Sequence, residues 1–497
     1  MLKAIVIGAG FGGIASALRL KALGYDVHIV EKLKTLGGRA QVFKRGGYTH
    51  DAGPTVITAP FLFDELFALF GENRADHIEF KPLTPWYRFR FPDGDTFDYG
   101  GTLDDTLSEI RRIHPPDVEG YRKLVLMSQA IFEKGFLELA DQPFHELKTM
   151  VKQIPSLAIL RSDRTVWQMV TRYLEHPKLQ QAFSIQPLLV GGNPFDTTSI
   201  YGLIHYLERA YGIYFAMGGT GALVRALHAL IQRNDIRVST DTTVIRMHHR
   251  GKQISKLETT QGDMAADLFV FNGDPLYLYQ NLLPKNAQGI LTRAKVKHSK
   301  LSMGLYVLFF GTTQTYPDIA HHTIWLGTRY RALLADIFDR KILPEDFSLY
   351  IHRPTATDPS FAPAGHDSFY VLAPVPNQQA NINWSVEEPK LRARIIAALD
   401  RTILPGLSGS IAEPFSMTPD DFSDDYLSVE GAGFSIAPLF TQSAWFRFHN
   451  RAEDFDNLLL TGAGTHPGAG LPGVISSAKI VERLALEFAQ QAQEPAA

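Results

Sequence analysis

Gly8, Gly10 and Gly13 stand at G-x-G-x-x-G spacing in the stretch GAGFGG, and Glu31 follows 18 residues after the last of them. Glycines so placed let a chain turn tightly, bring bare backbone up to a pyrophosphate, and pack a helix closely on a strand. An acid at that distance suits the hydroxyls of a ribose. A second glycine pair, Gly37 and Gly38, precedes Arg39. Its guanidinium can hold phosphate or ribose oxygens of a dinucleotide that continues past its first phosphates. Near the other end, GAGTHPGAGLPGVISSAK (462–479) spends five glycines just before the last helical pattern. Backbone at glycine can touch a planar ring where a side chain would collide.

These residues need elements to hold them. Lys3–Ile7 reads as a strand buried on both faces, the parallel kind. IASALRLKALGY has helical periodicity and a glycine stop at Gly24, and DVHIVEK is a second strand ended by Glu31. The helix N-terminus offers free N–H groups to phosphates. Asn457–Thr461 predicts a strand, Gly462–Gly473 a close-approach loop, and Val474–Phe488 a helix. In the middle of the chain, IRVSTDTTVIRMHH reads as a strand pair and DLFVFNGDP as a strand returning to the sheet. Helices dominate from about residue 116 to 211. The final QQAQEPAA has the composition of a disordered tail.

The bulk numbers narrow the function. The chain has 497 residues, 45% hydrophobic and 20% charged, with a net charge of −3. Such a balance gives no global pull toward nucleic acid, and none is expected as a partner. There is no cysteine, which removes disulfides, thiolate metal sites and thiol nucleophiles together. The opening MLKAIVIGAG enters a strand at once, so no signal peptide is expected. No run reaches the ~18 apolar residues of a spanning helix. No H-E-x-x-H or carboxylate cluster points to a metal, and no G-x-S-x-G to a hydrolase.

With G-G-R at 37–39 and D-A-G-P-T at 51–55, the chain resembles the FAD-dependent amine-oxidase and phytoene-desaturase superfamily. The second motif, with G-A-G-T-H-P-G-A-G-x-P-G-V at 462–474, is similar to the bacterial-type carotenoid desaturases. LLVGGNPFDTTSIYGLIHYLER (188–209), GGTGALVRALHAL (218–230), HPPDVEGYRKL, APVPN and TQSAWFRFHNR extend the likeness over nearly the whole chain. The resemblance implies an α/β fold: a discontinuous Rossmann-type FAD-binding domain (1–80, 215–284 and 452–497), a mixed β-sheet substrate domain (81–115 and 285–451), and a helical membrane-associating insert (116–214). It implies FAD contacts at Gly8, Ala9, Gly10, Phe11, Gly12, Gly13, Glu31, Lys32, Gly38, Arg39, Pro54, Thr55, Val244, Gly464, Gly473 and Val474.

The activity implied is stepwise desaturation of phytoene, or a similar long polyene in lipid, to neurosporene or lycopene. A hydride passes from the allylic carbon to flavin, and the neighbouring carbon loses a proton. Oxygen or a quinone is the implied electron acceptor. Alternatives on the same fold are a carotenoid isomerase, a desaturase of another carotenoid, an amine oxidase, and a non-catalytic prenyl- or lipid-binding protein. The sequence shows no acid–base constellation; His466 and Lys152 are weak catalytic candidates, and Asp51 reads as a loop cap. Basic and apolar residues mix between 116 and 211, with Arg161, Arg164 and Arg172 near Trp167 and Tyr173. That mixture suits a surface lying in the headgroup layer, so the expected location is cytoplasmic, peripherally associated with the membrane.

Overall fold

The computed structural model describes residues 1–493. Five short strands form a parallel sheet: β1 (Lys3–Ile7), β2 (Asp26–Val30), β3 (Arg237–Ser239), β4 (Leu268–Phe271) and β5 (Leu458–Leu460). Their spatial order is β5-β4-β1-β2-β3, in register Ile5↔Phe269 between β1 and β4 and Ile5↔His28 between β1 and β2. The chain therefore runs outward from β1 to β3 on one side and fills the other side later. That reversal leaves a crevice at the carboxyl end of β1, where doubly wound sheets bind ligands. Helix α1 (Phe11–Ala22) and helix α2 (Gly219–Arg233) pack beside the sheet with α3 (Leu471–Gln493). Ile14, Ala17 and Leu18 of α1 share a core with Val481 and Leu484 of α3.

α1 ends where Gly24 takes a φ of 87°, a conformation that costs glycine nothing. Two expectations are corrected. The strands in IRVSTDTTVIRMHH do not pair with each other: β3 joins the parallel sheet, while Val244–Arg250 pairs with Gln253–Thr259 in a separate antiparallel sheet. Nor is the tail unstructured from Gln490, because α3 continues through Gln493; the last four residues, 494–497, lie outside the described part.

A second, seven-stranded sheet runs in the order 411–417, 304–312, 367–375, 349–352, 322–325, 87–90, 96–99. It is antiparallel except where Thr323 pairs with Arg88 in parallel. Between its first and later strands the chain makes a helical excursion. Helices Asp117–Phe132, Leu147–Ile159, Val166–Tyr173, Pro177–Ser184 and Leu203–Tyr211 follow one another. The excursion is closed where Phe80–Pro82 pairs with Tyr214–Ala216.

Candidate functional site

A cavity of about 530 Å³ begins at the carboxyl end of β1 and runs between the seven-stranded sheet and the helices. Its near end is built from the glycine turns. Gly8 leaves β1 at a φ of 93°, and a Cβ on Gly13 would collide with the Gly8 carbonyl oxygen. Helix and strand thus touch at backbone level. The second glycine turn lies on the first, with Gly37 N–H donating to the Ala9 carbonyl at 2.8 Å. α1 starts at Gly10 with no side-chain cap and no acid in its first turn. Its free N–H groups are left for an anion, as at other dinucleotide sites.

Glu31 is buried beside that helix start. It accepts from Ala9 N–H at 2.6 Å and from Leu33 N–H at 2.8 Å. Burial raises its pKa, and these backbone bonds pull it back down. Arg39 enters from the second turn and donates to Ser428 Oγ at 2.8 Å. Burial lowers the guanidinium's pKa, and the nearby Asp274 carboxylate offsets the effect. Asp274 is itself buried and keeps one oxygen, Oδ2, without a partner among the described residues.

The late glycine loop closes the same end. Gly464 passes so near Pro275 that a Cβ would strike its ring, and a Cβ on Gly473 would stand 2.6 Å from the Gly468 carbonyl oxygen. The residues Leu471 to Val474, at the start of α3, line the cavity. An uncapped helix start, a buried acid, a guanidinium and a loop that admits no side chains together match what FAD presents: pyrophosphate, ribose and a flat ring. The residues present fit the group.

The cavity wall contains Gly8, Gly10, Phe11, Gly12, Glu31, Lys32, Gly38, Arg39, Pro54, Thr55, Val244, Gly464, Gly473 and Val474. Ala9 and Gly13 stand behind it, one holding Glu31 and the other permitting helix packing. His466 is not in the wall. Its Nε2 faces the Leu139 carbonyl oxygen at 2.9 Å, and burial lowers its pKa to about 4. It fastens the glycine loop to the helical region. Lys152 is exposed on helix Leu147–Ile159, remote from the cavity wall. Neither weak catalytic candidate lines the cavity. Asp51 does cap, but at the start of α2, where it accepts from Thr220 N–H at 3.1 Å; burial raises its pKa to about 7.

The far end of the cavity is apolar. Phe136, Ile185, Ile204 and Leu207 face Ile324 and Leu349 across it. Its polar groups are few: Thr55, expected from sequence at the cofactor, and others from scattered positions that sequence reasoning missed. Thr55 Oγ1 lies 2.9 Å from the Tyr350 hydroxyl and 3.1 Å from that of Tyr370. Tyr350 in turn meets His322 Nδ1 at 2.7 Å. Behind this wall His321, His322 and His352 form the one trio, among the described residues, whose ligand atoms lie within 4.8 Å of one another; burial lowers all three pKa values. Tyr87 donates to Glu208 Oε1 at 3.2 Å. Glu208 had one available signal: it follows Leu207 on the buried face of its helix, where acids rarely sit unless paired.

The model of the family described as "Flavin containing amine oxidoreductase" matches residues 11–481. The lycopene-forming phytoene desaturase of Pantoea ananas is 44% identical over 489 residues, which is 98% of this chain and 99% of that protein. The neurosporene-forming phytoene desaturase of Rhodobacter capsulatus is 39% identical, covering 100% of this chain and 96% of that protein. In fold the chain is similar to an oxidoreductase from Methanosarcina mazei, with a TM-score of 0.65 at 15% identity over 97% of this chain and 100% of that one. Cyclohexylamine oxidase from Brevibacterium oxydans gives a TM-score of 0.63 at 15% identity, covering 99% and 100%.

Proposed function

This chain belongs to the flavin-containing amine oxidoreductases and, among them, to the phytoene desaturases, and from that premise we propose how its one long cavity divides the work. The protein is an FAD-dependent oxidoreductase that desaturates phytoene in carotenoid biosynthesis. Bound FAD supplies a two-electron acceptor for a hydride from an allylic C–H bond. The chain's own residues hold and isolate. Glu31, Arg39 and the start of α1 would hold the dinucleotide, and the glycine loop would leave room for its ring. The apolar end seats the polyene in a dry slot, so that one carbon pair at a time meets the reactive ring edge.

The observation that carries this reading is the continuity of the cavity. Gly10 and Glu31 at one end and Ile204 and Leu349 at the other line a single space. The number of double bonds added, giving neurosporene or lycopene, then depends on how far the chain slides. Incubating the protein with FAD and phytoene liposomes tests it: extracted lipid should gain fine-structured bands moving into the visible. Unchanged phytoene despite bound FAD would favour the isomerase or another carotenoid substrate.

The domain division follows the same reading: cofactor pieces at 1–80, 215–284 and 452–497, substrate pieces at 81–115 and 285–451, helical insert at 116–214. The pairing of Phe80–Pro82 with Tyr214–Ala216 supports it, since the chain leaves and re-enters at one place.

The insert docks on a membrane surface from the cytoplasmic side. No helix among the described residues is long and apolar enough to cross a bilayer. Helix Leu147–Ile159 instead turns Leu147, Val151 and Ile154 outward, each more than half exposed, with Ile159 at 78%. Spacings of four and three put the first three on one face. Lys148 and Lys152 flank them, a composition suited to the headgroup boundary. Trp167 is not part of this face; it packs on Phe195 with Arg331 nearby. Val151→Glu with Ile154→Glu should abolish co-sedimentation with liposomes while FAD stays bound. Unchanged sedimentation would remove the membrane reading. Electrons leave for oxygen or a quinone, which anaerobic assay with and without added quinone distinguishes.

A further inference from the structure

Removing two hydrogens from neighbouring carbons requires two exits. The hydride leaves one carbon with its electron pair, to the cofactor that the established activity supplies. The other carbon gives up a proton, and the electrons of that C–H bond complete the new C=C. A hydrocarbon offers no base for the proton.

Four acids reach the cavity wall: Glu31, Glu208, Asp274 and Asp425. Glu31 is engaged by Ala9 and Leu33 at the dinucleotide end. Asp274 stands by Arg39, and the Asp425 carbonyl takes a bond from Lys32 at 3.0 Å, also at that end. No histidine is in the wall. Glu208 alone stands among apolar lining, beside Leu207 and one helical turn from Ile204. It is 1% exposed. Tyr87 holds its Oε1, while Oε2 has no hydrogen-bond partner among the described residues.

We propose that Glu208 is a catalytic residue, its Oε2 accepting the proton from the carbon next to the one that loses hydride. This rests on the polyene occupying the apolar end of the cavity. One carboxylate oxygen anchored by a phenol and the other left unpaired, on a residue of the cavity wall, is the arrangement such a base needs. Tyr87 and Tyr99 face Glu208 from the sheet, Tyr121 from helix Asp117–Phe132, and His205 and Arg209 from its own helix. Burial raises the Glu208 pKa to about 8, against the Tyr87 hydroxyl and the charge of Arg209. A base works ionised, so kcat rises with pH up to about 8 and then levels.

The test is Glu208→Gln beside Glu208→Asp, assayed with FAD and phytoene liposomes across pH. E208Q should lose at least ~100-fold in kcat, the scale of a lost general base, with KM and bound FAD unchanged and the pH rise gone. E208D should keep a pH rise and recover part of kcat. Apart from turnover, infrared difference titration of cofactor-free protein should show a carboxyl band ionising near pH 8 in wild type and absent from E208Q. A kcat for E208Q within about threefold of wild type, or an unchanged pH profile, overturns the proposal. So does loss of phytoene or FAD binding, which would make Glu208 structural. Should E208Q fail to fold, a wild-type kcat with no rise toward pH 8 overturns it as well. If wild type itself leaves phytoene unchanged, the chamber reading fails instead.

Discussion

The two ends of the cavity are made by opposite means. At the cofactor end, function comes from side chains that are missing: Gly8, Gly13, Gly464 and Gly473 let backbone meet backbone or ligand. At the polyene end it comes from side chains that are large and buried, with a handful of polar groups placed by the fold. A site built on backbone tolerates almost no added atoms. A site built on apolar bulk tolerates exchange of volume and answers with altered specificity rather than collapse.

Breaking the first end gives the largest effect. Gly13→Val drives a branched side chain into the Gly8 carbonyl, so the purified protein should carry no flavin by absorbance. A flavin-loaded G13V would mean the turn is not the cofactor cradle. Glu31→Ala comes next, since it strands the Ala9 and Leu33 N–H groups. Each costs ~1–3 kcal/mol of stability when buried and unpaired, and the acceptor for the ribose is lost, so FAD affinity should fall roughly 10-fold or more by titration. The other end should respond more gently. Leu207→Trp fills the apolar chamber, so FAD stays bound while products shift toward fewer added double bonds by chromatography. An unchanged product pattern would put the polyene elsewhere.

The smallest effect separates the ends by pH. Asp51 and Glu208 have folded pKa values raised by burial, from 3.8 to about 7 and from 4.5 to about 8. Their stabilisation is whole below the unfolded values and is lost as pH climbs through the folded ones. His205 and His466 are lowered from 6.5 to about 3 and about 4. They stabilise above 6.5, and that contribution disappears as pH falls through their folded values. Melting temperature should therefore peak in mildly acidic to neutral solution, and Asp51→Asn should flatten the alkaline side. A monotonic profile would show that these buried groups do not control it.

The same contrast explains what could be read from sequence. The β1–turn–α1–β2 unit lies within 30 residues, and each part constrains its neighbour, so Gly8 to Glu31 were legible as one device. The late loop was legible because few other tasks use so many glycines together. Glu208, Tyr87, Tyr350 and Tyr370 were not, because they are ordinary residues on separate elements and only the fold makes them neighbours. His466 misled for the converse reason. It sits inside a functional loop by position, yet its ring turns away to Leu139.

β5 and α3 also set a schedule. β4, which pairs with β1, arrives more than 250 positions later, and β5 completes the sheet from Leu458 onward. Contacts of such sequence separation form slowly, because the chain between them must first be confined. During synthesis the bare edge of β4 and the apolar face of α1 wait for partners far along the chain, and such exposed strands are where aggregation starts. A chain stopped anywhere before residue 458 thus lacks more than its tail: it holds half a nucleotide cradle around an unfinished sheet.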